Sequence, residues 1–307
     1  MRDISQKIRT LRTAIATSRL YLSPHTITLI HQSKIPKGSP LEVAKVAAVQ
    51  AAKRTSDIIP YCHPLPIDYV GVEYSFGENW IEVTATVKAI YKTGVEMEAL
   101  TAASVAALTM YDMMKMLDEE MSIGEVRLVK KTGGKSDFRA PDGRTFRAAV
   151  LVMSDSVADG RSVDRSGKLI VERLKNDGVE VADYAVIPDD KAKIVETLKR
   201  YADGLKLDLV VTTGGTGFGP RDVTPEAMEE VIERDASGIA EAVRSYGQER
   251  LPLAMLSRAR AGLRGKTLII TLPGSPGAVT DGLDALFPAV LHAFAMMEGK
   301  GHQKENP

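Results

Sequence analysis

The chain has 307 residues, 44% of them hydrophobic and 26% charged, enough to bury a sizeable core and to form two domains of ordinary size. Forty acidic side chains balance forty Lys and Arg, so no excess of either sign argues for nucleic acid or a membrane surface as partner. The single cysteine, Cys62, excludes an intramolecular disulfide and fits a reducing compartment.

Residues 1–13 lack the continuous apolar stretch of a signal peptide, and no window approaches ~18 uninterrupted apolar residues. The expectation is a cytoplasmic protein with no membrane span. Residues 20–32 read as strand around a Ser-Pro turn, and 41–54 have helical spacing. Residues 69–76 and 80–89 alternate with period two across Gly77-Glu78-Asn79, which predicts an antiparallel hairpin. A helix follows to about Met116, then a strand over 123–130. Helices on one face of an antiparallel sheet, an α+β arrangement, fit this order.

The stretch KTGVEMEALTAASVAALTMYDMMK, 92–115, is apolar on nearly every side yet carries Glu96 and Glu98 at its head and Asp112 and Lys115 near its end. Thr93 and Glu96 have the spacing of a capping box. Glu98 and Asp112 fall within about 40° of one helix face. Asp112 and Lys115 are i,i+3 neighbours. Either they form a surface salt bridge, or the apolar surroundings bury them as an acid–base pair suited to proton transfer. Lys37-Gly38 precedes a helix, and Tyr61-Cys62-His63 stands in a loop. With one Cys and five His, a zinc site is disfavoured. Lys131-Thr132-Gly133-Gly134-Lys135-Ser136 is a turn suited to an anion, but it lacks the first glycine of a Walker A loop.

AAKRTSDIIPYCHPL (51–65), KTGVEMEALTAASVAALTMYD (92–112) and GGKS (133–136) resemble the cyclic pyranopterin monophosphate synthase family, MoaC. The resemblance runs from about Asp3 to Phe138. It implies a ferredoxin-like α+β fold and conversion of a cyclised dihydroguanosine triphosphate to cyclic pyranopterin monophosphate with release of pyrophosphate. It implies no cofactor. It also implies a homo-oligomer with active sites built from two subunits. By position, Asp112 falls on the family's catalytic acid/base, and Lys37, His63, Lys115, Glu96 and Glu98 fall on its other site residues. Tyr61, Cys62, His63, Met97 and Glu98 match its substrate contacts. Lys37, Lys115, Lys131 and Lys135 are the cations available to a triphosphate.

A polar stretch with Pro141, Asp142 and Gly143 marks a boundary. Beyond it, apolar strands at 148–155, 179–188, 207–213 and 267–274 alternate with helices. That predicts a doubly wound, mostly parallel sheet covered on both faces, with ligands at the carboxyl ends of its strands. Four of those ends carry polar groups: Ser154-Asp155-Ser156, Asp189-Asp190, Thr212 to Gly217, and Pro273-Gly274-Ser275. The glycine-rich turn offers main-chain N–H groups to a phosphate. Arg221 and Asp222 follow it, ahead of a helix with Thr224 as expected N-cap and Pro225 after it.

TTGGTG (212–217), PRDVTPEA (220–227), ASGIAE (236–241) and LPGSP (272–276) resemble the MoaB/Mog family of molybdopterin-binding domains. The resemblance implies a site for molybdopterin and nucleotide at Ser154, Asp155, Thr213, Gly214, Gly215, Thr216, Gly217, Arg221, Asp222 and Ser275. It implies adenylyl transfer from ATP, with Mg²⁺ on Asp189 and Asp222. Active members carry Ser-Asp-Arg where this chain has Ser154-Asp155-Ser156, so a non-catalytic pterin-binding or assembly module is the alternative. The expected organisation is a MoaC-like domain over 1–138, a linker over 139–146, a MoaB/Mog-like domain over 147–299 and a polar tail over 300–307.

Overall fold

The structure is a computed structural model that describes residues 1–138 and 144–299, apart from the side chains of Lys135 and Ser136. Most of the expected linker and the whole expected tail lie outside the described residues, as does the Lys135 side chain. The chain divides into two compact units, Met1–Asp137 and Phe138–Pro307.

The first unit runs β1 (Thr10–Tyr21), α1 (Pro24–His31), α2 (Pro40–Lys53), a short α3 (Thr55–Ile58), β2 (Tyr69–Phe76), β3 (Trp80–Tyr91), α4 (Glu96–Met114) and β4 (Ser122–Thr132). Its sheet has the order β2-β3-β1-β4, with antiparallel neighbours throughout. This is the split βαβ topology of ferredoxin-like folds. Ala14, Ala16, Ser18 and Leu20 alternate inward on β1, and Ile81, Val83, Ala85, Val87 and Ala89 do so on β3. Against them α4 presents Ala99, Ala102, Ala103, Ala106 and Met110, all fully buried. Alanine is the strongest helix former, and its small side chain lets α4 lie close to the sheet and to the alanine face of α2.

One element departs from expectation. Residues 24–31, read as strand, form a helix: Ser23 accepts a hydrogen bond from Thr26 N at 3.2 Å, and Pro24 opens the first turn. The Thr and Ile content of TITLI suggests a strand, but the cap and the i,i+3 burial of Ile27 and Ile30 prevail. The strand of this region lies earlier, in β1.

The second unit runs β5 (Arg147–Met153), a short α5 (Asp155–Ala158), α6 (Ser166–Asn176), β6 (Glu180–Ile187), α7 (Lys191–Lys199), β7 (Leu209–Thr213), α8 (Thr224–Val231), β8 (Arg234–Asp235), α9 (Ser237–Gln248), β9 (Ala261–Arg264), β10 (Thr267–Leu272), α10 (Pro276–Leu286) and α11 (Ala293–Met297). The sheet order is β6-β5-β7-β10-β9-β8. The first four strands are parallel, and β9 and β8 add an antiparallel edge that sequence periodicity did not reveal. Cores lie on both faces: Val150, Leu209, Val211, Ile270 and Leu272 on one, Ala149, Leu151, Val210 and Ile269 on the other. From β5 the chain steps outward to β6 and then returns to β7 on the other side of β5. The switch point, where such sheets bind ligands, therefore lies between the carboxyl ends of β5 and β7. Among the described residues, no single helix is long and apolar enough to cross a membrane.

Candidate functional site

In the first unit, charge gathers at the two ends of α4. At the C-terminal end Asp112 stands between two lysines. Lys37 Nζ, from the α1–α2 loop, donates to Asp112 Oδ2 at 3.0 Å and to its carbonyl oxygen at 2.7 Å. Lys115 Nζ lies 2.8 Å from Asp112 Oδ1. The bonds from Lys115 and then Lys37 hold the Asp112 carboxyl below its ordinary range, and Asp112 raises Lys115 in return.

The expectation of a buried acid–base pair is not met within one chain. The Asp112 and Lys115 side chains are 59% and 57% exposed. Met110, Met113 and Met114 do face the core, but the helical period turns Asp112, Lys115 and Met116 outward.

At the other end of α4, Glu98 is the buried charge. Burial raises its pKa, with its own amide opposing and the Glu96 carboxylate adding. Cys62 stands nearby: partial burial raises its thiol, and Glu98 and Glu96 push it further. Tyr61 and Met97 are exposed, and Lys131 Nζ lies 3.2 Å from Glu96 Oε1. The capping box expected of Thr93 and Glu96 does not form. Val95 takes the N-cap position with no side-chain bond, and Glu96 turns to Lys131 instead. No hydrogen bond or ion pair ties His63 to the Asp112 cluster among the described residues. Asp3, whose carboxyl is lowered chiefly by the Ser5 amide, lies within electrostatic reach of His63.

Arg12 belongs to this end of α4 and escaped the sequence reading. It is 8% exposed, donates from Nε to Tyr91 O at 3.3 Å, and burial lowers its pKa against the pull of Glu96 and Asp137. An arginine in phase with the inward positions 14, 16, 18 and 20 was the signal. Glu98 and Asp112 are fourteen residues apart, which separates the two clusters by about 21 Å along the helix.

In the second unit the polar strand ends converge at the switch point. Asp155, after β5, and Asp189, after β6, exchange amide-to-carboxylate bonds of 3.0 Å each. Arg221 grips Asp155 through both oxygens, at 3.0 and 2.8 Å, and this bond keeps the Asp155 carboxyl low. Asp189 is raised, first by burial and then by the Asp155 and Asp222 carboxylates. Asp222 Oδ2 accepts from Gly219 N at 2.7 Å. Ser154 caps α5 and Ser275 caps α10.

Two hydroxyls serve the frame rather than a ligand. Thr213 donates to Pro273 O at 2.7 Å, and Thr224, expected as an N-cap, donates to Gly214 O at 3.0 Å while Val223 holds the cap position. A cavity of about 570 Å³ opens between the glycine-rich loop and α9. Gly215, Thr216, Gly217, Asp222, Gly274 and Ser275 line its polar side, and Val243, Leu251, Leu253 and Leu256 its apolar side. A second hollow, along α6 and β6, lies away from the strand ends and holds none of these groups.

Residues 1–134 match the model of the MoaC family, and residues 149–292 match a family described as a probable molybdopterin binding domain. A protein of Chlorobaculum tepidum named molybdenum cofactor biosynthesis bifunctional protein is 43% identical over 98% of this chain and 96% of its own. A protein of the same name from Synechococcus elongatus is 38% identical over 98% of each. The chain belongs to this bifunctional family. A cyclic pyranopterin monophosphate synthase of Brevibacillus brevis is 53% identical over 45% of this chain and 88% of its own. The crystal structure of MoaB from Thermus thermophilus is 42% identical over 51% of this chain and 98% of that one, with a TM-score of 0.49.

In the MoaC-family unit, Lys37, Asp112 and Lys115 come together, and Cys62, Glu96, Glu98 and Lys131 form a separate set. In the molybdopterin-binding-domain unit, Gly215, Thr216, Gly217, Asp222 and Ser275 line one cavity, and Asp155, Asp189 and Arg221 form a hydrogen-bonded set of their own. Arg258, which the sequence reading missed, clamps that cavity from behind. Among the described residues, no group of three His, Cys, Asp or Glu side chains is placed to hold a metal ion. The carboxylates of Asp189 and Asp222 are two hard oxygen donors beside the glycine-rich loop.

Proposed function

We propose that this chain carries two steps of molybdenum cofactor biosynthesis. The first unit is a MoaC-family cyclic pyranopterin monophosphate synthase domain acting on the cyclised dihydroguanosine triphosphate. The observation that carries its chemistry is the Lys37–Asp112–Lys115 triad. Asp112, ionised between two ammonium groups, accepts and returns protons during ring opening and closure. Phosphate oxygens that take up Lys37 and Lys115 remove the groups that depress Asp112, so its basicity rises once substrate is bound.

The other set, with Tyr61, Cys62, His63, Met97 and Glu98, contacts substrate from a second copy, because one chain holds the two sets about 21 Å apart. Exposed Val46, Leu108 and Met116 on and beside the same helices suit such an assembly. Asp112→Asn lowers pyrophosphate release from the cyclised substrate by about 10²-fold or more with the fold intact. Unchanged turnover would refute the role. Mixing that chain with a Glu98→Ala chain restores activity where sites are shared; no recovery would refute the two-subunit site.

The second unit binds molybdopterin in the cleft at the ends of β5, β7 and β10, and it adenylylates molybdopterin with MgATP. Asp189 and Asp222 would hold the magnesium, which would supply charge neutralisation of the ATP phosphates. The two carboxylates border the glycine-rich loop, Asp189 at Gly215 and Asp222 at Gly217, and are the hard oxygen donors magnesium takes. With molybdopterin, ATP and Mg²⁺, the full chain releases pyrophosphate, and Asp222→Ala abolishes it. Binding without release would leave the second reading, a pterin-binding module without catalysis, which Ser156 favours by standing where active members carry arginine. The lone Cys62 fits a cytoplasmic location.

A further inference from the structure

We propose that Arg258 is a positioning residue of the glycine-rich loop: by holding Thr216, Gly217 and Asp222 it keeps the loop's amides turned toward a phosphate group of the ligand. The proposal deepens the molybdopterin reading of this unit, since molybdopterin ends in a phosphate monoester.

The carbonyl oxygens of residues 214–217 and of Asp222 are each engaged by Thr224 or by Arg258. Gly214 O accepts from Thr224 Oγ1 at 3.0 Å and Gly215 O from Thr224 N at 3.1 Å. Thr216 O accepts from Arg258 N at 2.8 Å. Gly217 O accepts from Arg258 Nε at 2.8 Å, and Asp222 O from Arg258 Nη2 at 2.6 Å. The remaining arm of the guanidinium pairs with Glu226, and Phe218 lies over it at 5.9 Å. One side chain thus ties Gly217 to Asp222, while Thr224 holds Gly214 and Gly215.

A trans peptide is planar, so its N–H points opposite to the preceding C=O. With the carbonyls of residues 214–217 turned back to Thr224 and Arg258, the amides of residues 215–218 turn the other way. Those four successive N–H groups have no acceptor among the described residues. Gly215, Thr216 and Gly217 line the cavity. Successive unpaired amides facing a cavity form an anion-binding concavity. Lysine replaces Arg258 only in part, because a single ammonium lacks the planar fork that reaches Gly217 O and Asp222 O together. Arg258 itself turns away from the ligand. Its influence passes through the loop.

The test uses the full chain with Arg258→Ala, Arg258→Lys and Glu226→Gln, and molybdopterin as the probe. Two readings are taken: amide hydrogen exchange over 214–222 and the dissociation constant. Arg258→Ala speeds exchange in the loop and weakens binding by about tenfold or more. Arg258→Lys recovers part of both. Glu226→Gln, which keeps the carbonyl bonds, leaves both within about threefold, short of half a tenfold step in free energy. Adding phosphate at millimolar concentration competes with molybdopterin in the parent chain and fails to compete in Arg258→Ala. Parent-like exchange and affinity in Arg258→Ala would overturn the proposal. A parent chain that does not bind molybdopterin would overturn the reading beneath it, while the exchange data and phosphate binding would still decide the role of Arg258.

Discussion

Replacing Gly214 by alanine tests how closely the strands at the switch point are packed. Gly214 has φ +107, and a Cβ there would stand 2.0 Å from Met153 O and 3.1 Å from Met153 C. The obstacle is main chain, so no rotamer relieves it. An ordinary contact begins at 3.4 Å, which requires the ends of β5 and β7 to part by more than ~1 Å in a close-packed sheet. The positive φ costs about 1–2 kcal/mol, and loosening the last rungs of the β5–β7 ladder costs about 1 kcal/mol per bond. The sum is roughly 2–4 kcal/mol, a fall in Tm of about 5–15 °C for a unit of this size.

Two further glycines separate the contributions. Gly178 has φ +80 with nothing within 4 Å of its Cβ, so alanine there meets strain alone, about 1 kcal/mol. Gly277 lies in the first turn of α10 with open space around it, so alanine there is neutral or slightly stabilising. The assay is scanning calorimetry of the full chain, reading the transition that Gly178→Ala moves. A Gly214→Ala shift no larger than that of Gly178→Ala would refute the packing argument.

Glu98→Gln makes the first unit more stable at neutral pH. The folded pKa of Glu98 is raised, so its ionised form opposes folding above that pKa, and parent stability increases as pH falls through it. Denaturation of parent and variant at pH 5 and pH 7.5 should converge at the lower pH; a constant difference would contradict the burial argument. Ser18→Ala removes a fully buried hydroxyl that has no hydrogen-bond partner among the described residues. Stability should hold or rise by about 1 kcal/mol, and a loss of more than ~1 kcal/mol on urea denaturation would show that the hydroxyl is satisfied.

The sequence by itself determined most of the elements. Period-two alternation located β2 and β3, alanine-rich helical spacing located α2 and α4, and apolar runs located β5, β7 and β10. These signals are local: the residues that face the core repeat at the period of the element that carries them. Where two local signals conflicted, the reading failed. In SPHTITLIHQ the Ser23 cap outweighed the β-branched content. The antiparallel edge β8–β9 left no trace, because strands of two and four residues are defined by their partners and not by their own pattern. The loop motifs of both units were legible as well, because glycine, proline and capping residues at fixed offsets are themselves local.

Tertiary structure decided which polar residues meet. Lys37 and Asp112 are 75 residues apart in sequence and share a hydrogen bond, a pairing no periodicity encodes. The apolar setting of α4 suggested that Asp112 was buried, but one chain leaves it in solvent, because burial depends on what packs over a face and not on its neighbours in sequence. The partners of Arg12 and of Arg258 were invisible for the same reason. Each arginine reads as an ordinary charged residue until the fold sets one beside the head of α4 and turns the other onto the carbonyl oxygens of a loop 36 to 41 residues away.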